Sequence, residues 1–377
     1  MKKPVGAVSK GLPTNPILAL RANELLAKGQ QLESQGKIAE AARISAELVQ
    51  VAPNLAEAHQ LMGSLAMRTG AADIAAMSLE RALALKPRSA DLHVALAQAL
   101  LALKQPQRAA DLLNKGRTIH PNDPGIFREL GQAQLDLGQS EAALKSFARA
   151  TKLRPTDLYA SHMVAALSEA GAPDRAYVAE LFDSYADTFD AHLTGKLEYR
   201  VPEALTKMLA DHDMTSGPTL DVGCGTGLMG AALPETFRPI DGVDIAPRMV
   251  AKAAERSIYR TLRTGDAAAV IAADPDLSGP YGLIAATDVF IYVGEITDLL
   301  AQLTERLAPR GVIAFSVETH DGDGIAIRSS GRFAHSRTYI LDLAARFSLE
   351  LVAEQPQPIR LEREVPIPGQ LYLLQRR

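Results

Sequence analysis

Pro53, Pro87, Pro121 and Pro155 stand 34 residues apart. A fixed period constrains the chain strongly, because each unit must bury its apolar face on the next. Other positions recur in step. Ala41, Ala75, Ala109 and Ala143 form one set; Gly29, Gly63, Ala97 and Gly131 form a second; Gly36, Gly70, Lys104 and Gly138 form a third. Small side chains let two antiparallel helices approach, and Leu and Ala at 3.6-residue spacing fill the seam. Each proline ends the second helix of its pair, since it has no N–H and drives its predecessor out of the helical region. Four helix pairs are expected at about 22–55, 56–89, 90–123 and 124–157, with the third set marking the turns within them. A capping helix is expected from Leu158 to Ala170, and a helix over 17–21 extends the first pair.

This period, with small residues at the crossing points, resembles the tetratricopeptide repeat. The usual aromatic positions of that family carry Leu25, His59, His93 and Phe127 here. His59 and His93 are equivalent by register and read as filling a packing slot rather than binding metal. The resemblance implies a groove for a protein or peptide partner. The alternative is a scaffold that only forms a homodimer or covers a second domain.

The second constraint is residues 219–227, Thr-Leu-Asp-Val-Gly-Cys-Gly-Thr-Gly. A short apolar strand runs into a glycine turn, and a helix is expected over Leu228 to Leu233. That is the nucleotide-binding corner of a doubly wound α/β domain. Gly223, Gly225 and Gly227 let backbone approach a ligand closely. Gly225 to Gly230 formally matches the dinucleotide pattern G-x-G-x-x-G. Asp221, however, would repel a pyrophosphate on the turn and suits a ligand carrying an ammonium group. The stretch resembles motif I of the class I S-adenosylmethionine methyltransferases, (D/E)-x-G-x-G-x-G. Its resemblance implies S-adenosylmethionine as donor and S-adenosylhomocysteine as product, with Asp221 and the three glycines at the methionine end.

Further roles follow from that resemblance. A carboxylate at the end of the second strand can accept both ribose hydroxyl protons, and the family's residue there corresponds to Asp244, followed by Ile245. Asp266, with Ala267, corresponds to the adenine contact; its other reading is a helix N-cap. Asp288 follows the fourth strand at the rim where ligands of parallel sheets bind. The segment Tyr177 to Leu193, rich in aromatics, is similar to the donor lid of bacterial methyltransferases with N-terminal tetratricopeptide repeats. Phe182, Tyr185 and Phe189 are the lid candidates, Tyr185 as a donor contact; the alternative is an apolar face packed on the sheet. His320, His335 and Tyr292 are the catalytic candidates, as groups able to serve a nucleophile that must lose a proton. The stretch Gly331-Arg-Phe-Ala-His-Ser also resembles this family. No Asn-Pro-Pro-Tyr motif is present, which disfavours amide or adenine methylation. No His/Asp/Glu cluster has metal spacing, so no metal is expected.

The expected fold is thus two-part: an N-terminal all-α tetratricopeptide solenoid, then an α/β Rossmann-like class I methyltransferase domain. Its sheet is seven-stranded, closed by an antiparallel hairpin of Leu349–Glu354 and Gln370–Gln375. The expected divisions are a mobile tail at 1–16, the repeats at 17–171, a helical linker and lid at 172–216, and the donor-binding domain at 217–377. The formal charge of −4 argues against general nucleic-acid binding. No apolar run approaches the length of a bilayer span, and no signal peptide is read at the start. With Cys224 the sole cysteine, a reducing cytoplasm is the expected home. The expected activity is methyl transfer to a small-molecule acceptor. The alternatives are a protein methyltransferase whose repeats recruit the substrate, and a donor-binding protein without activity.

Overall fold

A computed structural model of the chain describes residues 11–168, 175–214, 217–328, 330–362 and 365–377. The expected tail falls mostly outside these residues, as do the last two residues of the expected capping helix. By compactness the chain divides into two units, 1–160 and 161–377.

The first unit is helical. Its elements are α1 (Pro16–Ser34), α2 (Ile38–Val51), α3 (Ala56–Arg68), α4 (Ala72–Leu85), α5 (Ala90–Ala102), α6 (Pro106–Ile119), α7 (Pro124–Asp136), α8 (Ser140–Leu153) and the start of α9 (Leu158–Leu167). Caps set the starts. Asn15, Ser89 and Asp123 accept from backbone N–H groups of α1, α5 and α7, and Pro16, Pro106 and Pro124 occupy first-turn positions. The residues before the four periodic prolines, Ala52, Lys86, His120 and Arg154, all leave the helix at φ between −128° and −139°. That is the restriction a following proline imposes. Ala41, Ala75, Ala109 and Ala143 are fully buried. A Cβ on Gly63 would lie 2.6 Å from Leu79 Cγ, and one on Gly131 3.0 Å from the Phe147 ring. The recurring small residues therefore mark close approaches of paired helices. The turns fall at Gly36, Gly70, Lys104 and Gly138, all at positive φ.

The boundary expected at 171 shifts. The division falls inside α9, after Ala160. Within the second unit, Met163 is fully buried and His162 Nε2 donates to the Gly331 carbonyl at 2.8 Å. The later half of that helix thus carries a bond within the second unit.

The second unit continues with α10 (Arg175–Tyr185), the short α11 (Phe189–Ala191), a π-turn at His192–Lys196 and α12 (Val201–Asp211). Strands and helices then alternate: β1 (Thr219–Val222), α13 (Leu228–Ala232), β2 (Ile240–Asp244), α14 (Pro247–Glu255), β3 (Tyr259–Thr264), α15 (Ala267–Ala273), β4 (Tyr281–Ala286), α16 (Thr297–Glu305), β5 (Leu307–Glu318), β6 (Ile325–Ile327), β7 (Phe333–His335), α17 (Arg337–Arg346), β8 (Leu349–Pro356), β9 (Leu361–Glu362), β10 (Val365–Pro366) and β11 (Gly369–Arg376). The sheet runs β3-β2-β1-β4-β5-β11-β8, parallel through β5 and antiparallel from there. β1 and β2 are buried along their whole length, as strands covered on both faces must be. The path has the seven strands expected. The short β6 and β7 add two more at the end of β5, where the sequence suggested only a loop leading into a helix. Order reverses between β1 and β4, which opens the crevice used by ligands in such sheets.

Candidate active site

The glycine turn after β1 holds φ of +64°, +54° and +89° at Gly223, Gly225 and Gly227. L-residues reach that region only at a cost. Space adds to conformation at two of them. A Cβ on Gly223 would sit 2.4 Å from Val289 Cγ2, and one on Gly227 2.9 Å from Arg256 Cδ. At Gly225 a Cβ would meet nothing within 4 Å. Gly225 borders the open space of the site, a cavity of about 840 Å³ in the second unit.

Asp244 ends β2 and is buried. Its Oδ2 accepts the Gly225 N–H and its Oδ1 the Ala246 N–H, each at 2.8 Å. Burial pushes its pKa up, and the backbone N–H groups of Ala246, Gly225 and Ile245 oppose that shift. A carboxylate oxygen has two lone-pair sites, so each keeps acceptor capacity toward the cavity it lines. Ile245 and Ala267 line the same cavity. Asp266 caps α15 by accepting the Ala269 N–H at 3.0 Å, pairs with Arg175 Nε at 3.1 Å, and also lines the cavity. The N-cap reading is thus realised, by a residue that also lines the cavity.

Asp288 stands beyond β4 at φ +60°. Its N–H donates to Ser316 Oγ at 2.9 Å, and Arg360 Nη1 donates to its Oδ2 at 2.6 Å. Burial raises its pKa, while Arg360 pulls it back. Tyr292 lines the cavity edge-to-face with Phe182, ring centres 5.2 Å apart. Burial raises the Tyr292 hydroxyl, which keeps it protonated. Phe182, Tyr185 and Phe189 also line the cavity, with Phe182 and Phe189 packed on buried Ala186, Ala246 and Met249. Phe182 and Phe189 therefore form an apolar face, packed at the start of α14 rather than on the sheet, while Tyr185 is half exposed.

Three expected residues lie elsewhere. Asp221 is fully buried behind the turn, where its Oδ2 accepts from Tyr259 Oη at 2.6 Å. Burial pushes its pKa up to about 7, and it is not among the residues that line the cavity. His320 accepts the Gly322 N–H at Nδ1 and donates from Nε2 to the Gly324 carbonyl, both at 3.1 Å. It staples its own loop. His335 is fully buried, stacks on Tyr339 and donates from Nε2 to the Gly294 carbonyl at 2.6 Å. Burial depresses it to about 4. Neither histidine lines the cavity.

Two residues missed at the sequence level do line it, Arg332 and Arg360. Both donate to Oε1 of Glu318, at 2.9 Å and 2.5 Å, and Arg332 also bonds Glu362. Glu318, at the end of β5, is 1% exposed. Arg332 lies inside the Gly331-to-Ser336 stretch already noted, but Arg360 carries no local signal. Its neighbours there converge only on folding.

A family described as methyltransferase domain matches residues 220–313, and one described as tetratricopeptide repeat matches 66–128 and 100–167. The biotin biosynthesis bifunctional protein BioCD of Bordetella avium is 34% identical over 150 residues, 38% of this chain and 30% of that protein. A malonyl-[acyl-carrier protein] O-methyltransferase of Halalkalibacterium halodurans is 27% identical over 173 residues, 42% of this chain and 63% of that one. The chain thus spans less than two thirds of the length of these curated relatives. Among solved structures, the 1,6-didemethyltoxoflavin-N1-methyltransferase of Burkholderia thailandensis, with bound S-adenosylhomocysteine, aligns with TM-score 0.43 and 17% identity, over 53% of this chain and 88% of that chain. No helix among the described residues is long and apolar enough to cross a membrane.

Proposed function

We propose that this chain, a tetratricopeptide region followed by a methyltransferase domain, transfers the methyl group of S-adenosylmethionine to a small-molecule acceptor. One observation carries the reading. The glycine turn, Asp244 and Asp266 line the same cavity as the aromatic and charged rim beyond β4 and β5. Donor and acceptor residues thus face one enclosed space.

The residues fit the donor. Gly225 offers a side-chain-free wall, and both Asp244 oxygens keep acceptor capacity for a ribose diol. In this reading Asp266, which lines the cavity, reads the adenine edge, and Tyr185, Ile245 and Ala267 supply apolar walls. The donor supplies a methyl group already activated on a sulfonium. What remains for the protein is alignment and exclusion of water, and alignment is worth about 7–11 kcal/mol. Phe182, Phe189 and Tyr292 exclude water. Both histidines are engaged in structural bonds, so neither serves as base in this reading. Arg332 and Arg360 each have five N–H donors, more than the bonds to Asp288, Glu318 and Glu362 use, and the remaining donors suit an acceptor with an anionic group. The malonyl group named for the relatives is of that kind, and a carboxylate needs no base to attack a methyl group.

For the repeats, we assign partner docking to the row of first helices. α1, α3, α5 and α7 contact one another in sequence. Gln98 and Arg128 converge on Glu129 in that row, at 2.9 Å and 2.8 Å.

The test incubates purified protein with methyl-labelled donor and cell extract, then separates products by size. Label in small molecules is the expected result. Label on a protein would mean either an acyl group borne on a carrier protein, which mild base releases as a small molecule, or a protein side chain recruited by the repeats. Donor binding with no label anywhere would leave a donor-binding protein without activity.

A further inference from the structure

The roof over the cavity carries acidic residues at steps of four and three: Asp183, Asp187 and Asp190. Facing them, α14 and its C-cap carry basic residues at steps of four: Arg248, Lys252 and Arg256. The two rows meet pair by pair. α14 has no capping side chain of its own, because Ala246 occupies its N-cap. Asp183 fills that role from 65 residues away, its Oδ1 accepting the Arg248 N–H at 2.9 Å and its carbonyl accepting from Arg248 Nη1 at 2.7 Å. Asp187 pairs with Arg248 Nη2 at 2.5 Å and with Lys252 at 3.7 Å.

The third contact differs from the first two, because it reaches the glycine turn. Arg256 Nη2 pairs with Asp190 Oδ2 at 2.6 Å, and Arg256 Nε donates to the Thr226 carbonyl at 2.6 Å. The Thr226 hydroxyl in turn donates to Asp190 Oδ1. Thr226 is buried, lines the cavity and sits between Gly225 and Gly227. Asp190 and Arg256 therefore hold this residue by its hydroxyl and its carbonyl at once.

We propose that Asp190 is a positioning residue for the donor site: through Thr226 and Arg256 it fixes the glycine turn to the roof, so that donor binding and roof closure are one coupled event. This rests on the reading of the cavity as a donor site. The outer contacts suit a latch that must open. Asp187 and Arg248 are 66% and 52% exposed, and exposed ion pairs contribute little individually. The Asp190–Arg256 pair is the better shielded, at 44% and 30% exposed, and the Thr226 it holds is 3% exposed.

The test is calorimetric titration of the full chain with S-adenosylmethionine and S-adenosylhomocysteine, which needs no acceptor. Asp190→Asn is expected to weaken both ligands about tenfold, with the melting temperature of the free protein shifted by only a few degrees. Asp190→Glu, which keeps the charge, should recover most of that loss. Thr226→Val should reproduce it from the other partner. The double variant should be no worse than either single, as expected for two groups sharing one interaction. Hydrogen exchange across 182–190 should slow on donor binding in the parent protein and not in Asp190→Asn. An affinity within twofold of the parent for both single variants, or strictly additive losses, would overturn the proposal. If the parent protein binds neither ligand, the donor-site reading itself falls. If the parent binds and the variants match it, only the latch falls.

Discussion

Asp221 shows how far a motif residue can move from its expected use. Its place in the pattern was legible, but its surroundings were not. Tyr259 arrives from β3 to bond it, and burial lifts its pKa from the usual 3.8 to about 7. In the fold the carboxyl holds its proton over a range where the unfolded chain has lost it. Its contribution is therefore full below about pH 4 and is lost as pH rises toward 7. Asp221→Asn should keep the Tyr259 bond and remove that loss. Its stability relative to the parent, read by chemical denaturation, is expected to rise by about 2–4 kcal/mol between pH 4 and pH 8. His335 runs the other way. With its pKa lowered from 6.5 to about 4, it contributes most above pH 6.5 and loses that contribution as pH falls toward 4. His335→Ala should destabilise by about 2–3 kcal/mol, since it empties a packed site and strips the Gly294 carbonyl of its donor. His320→Ala should leave turnover within about threefold, because the side chain bonds only its own loop and lies away from the cavity. The glycines separate in the same spirit. Gly223→Ala meets Val289 and a disfavoured φ together, and should cost about 3 kcal/mol of stability. Gly225→Ala meets only the φ penalty, about 1 kcal/mol, but places a methyl group beside the donor. Melting and donor titration together should show stability lost in the first and affinity lost in the second.

Among the elements, the repeat helices were readable almost to the residue, because a 34-residue period restates each boundary four times. The prolines, the turn positions and the small residues all fell where periodicity put them. Packing explains the one exception to glycine at the second recurring position. Ala97 is fully buried there, whereas a Cβ on Gly63 would lie 2.6 Å from Leu79. Gly63→Val should therefore cost about 2–3 kcal/mol in thermal or denaturant melts of the full chain, by overpacking against Leu79. The strands of the α/β unit were legible by hydrophobic run and glycine turn. β6 and β7 were not. They are three residues each, and pair with one another and with the end of β5 rather than showing any period of their own. The capping helix was seen as an element, but its allegiance was not, because the bond between His162 and Gly331 joins residues 169 apart.

Across the methyltransferase unit, the least legible feature is the ionic knot beside the cavity. Glu318 gathers Arg332 and Arg360, Arg360 reaches Asp288, and Arg332 reaches Glu362. Four segments meet around one carboxylate that is almost fully buried. Removing its charge would leave two arginines without their shared partner. Glu318→Gln is expected to cost about 3 kcal/mol, as broken buried pairs do, and to loosen the cavity rim. Thermal melting checks the first effect and hydrogen exchange over 288–293 the second. What the sequence determined by itself was whatever repeats or is local: the helix pairs, the seven-stranded sheet with its closing antiparallel hairpin, the class of the fold and the glycine turn after β1. Short-range sterics and a fixed period set those, so they survive being read along the chain. What only the tertiary structure decided was partnership at distance. It bonded Asp221 to Tyr259 and His335 to Gly294, brought Arg332 and Arg360 to the cavity, and set Asp190 on Thr226. Burial and charge pairing depend on which segments the fold brings together, and no window of sequence contains both members of such a pair.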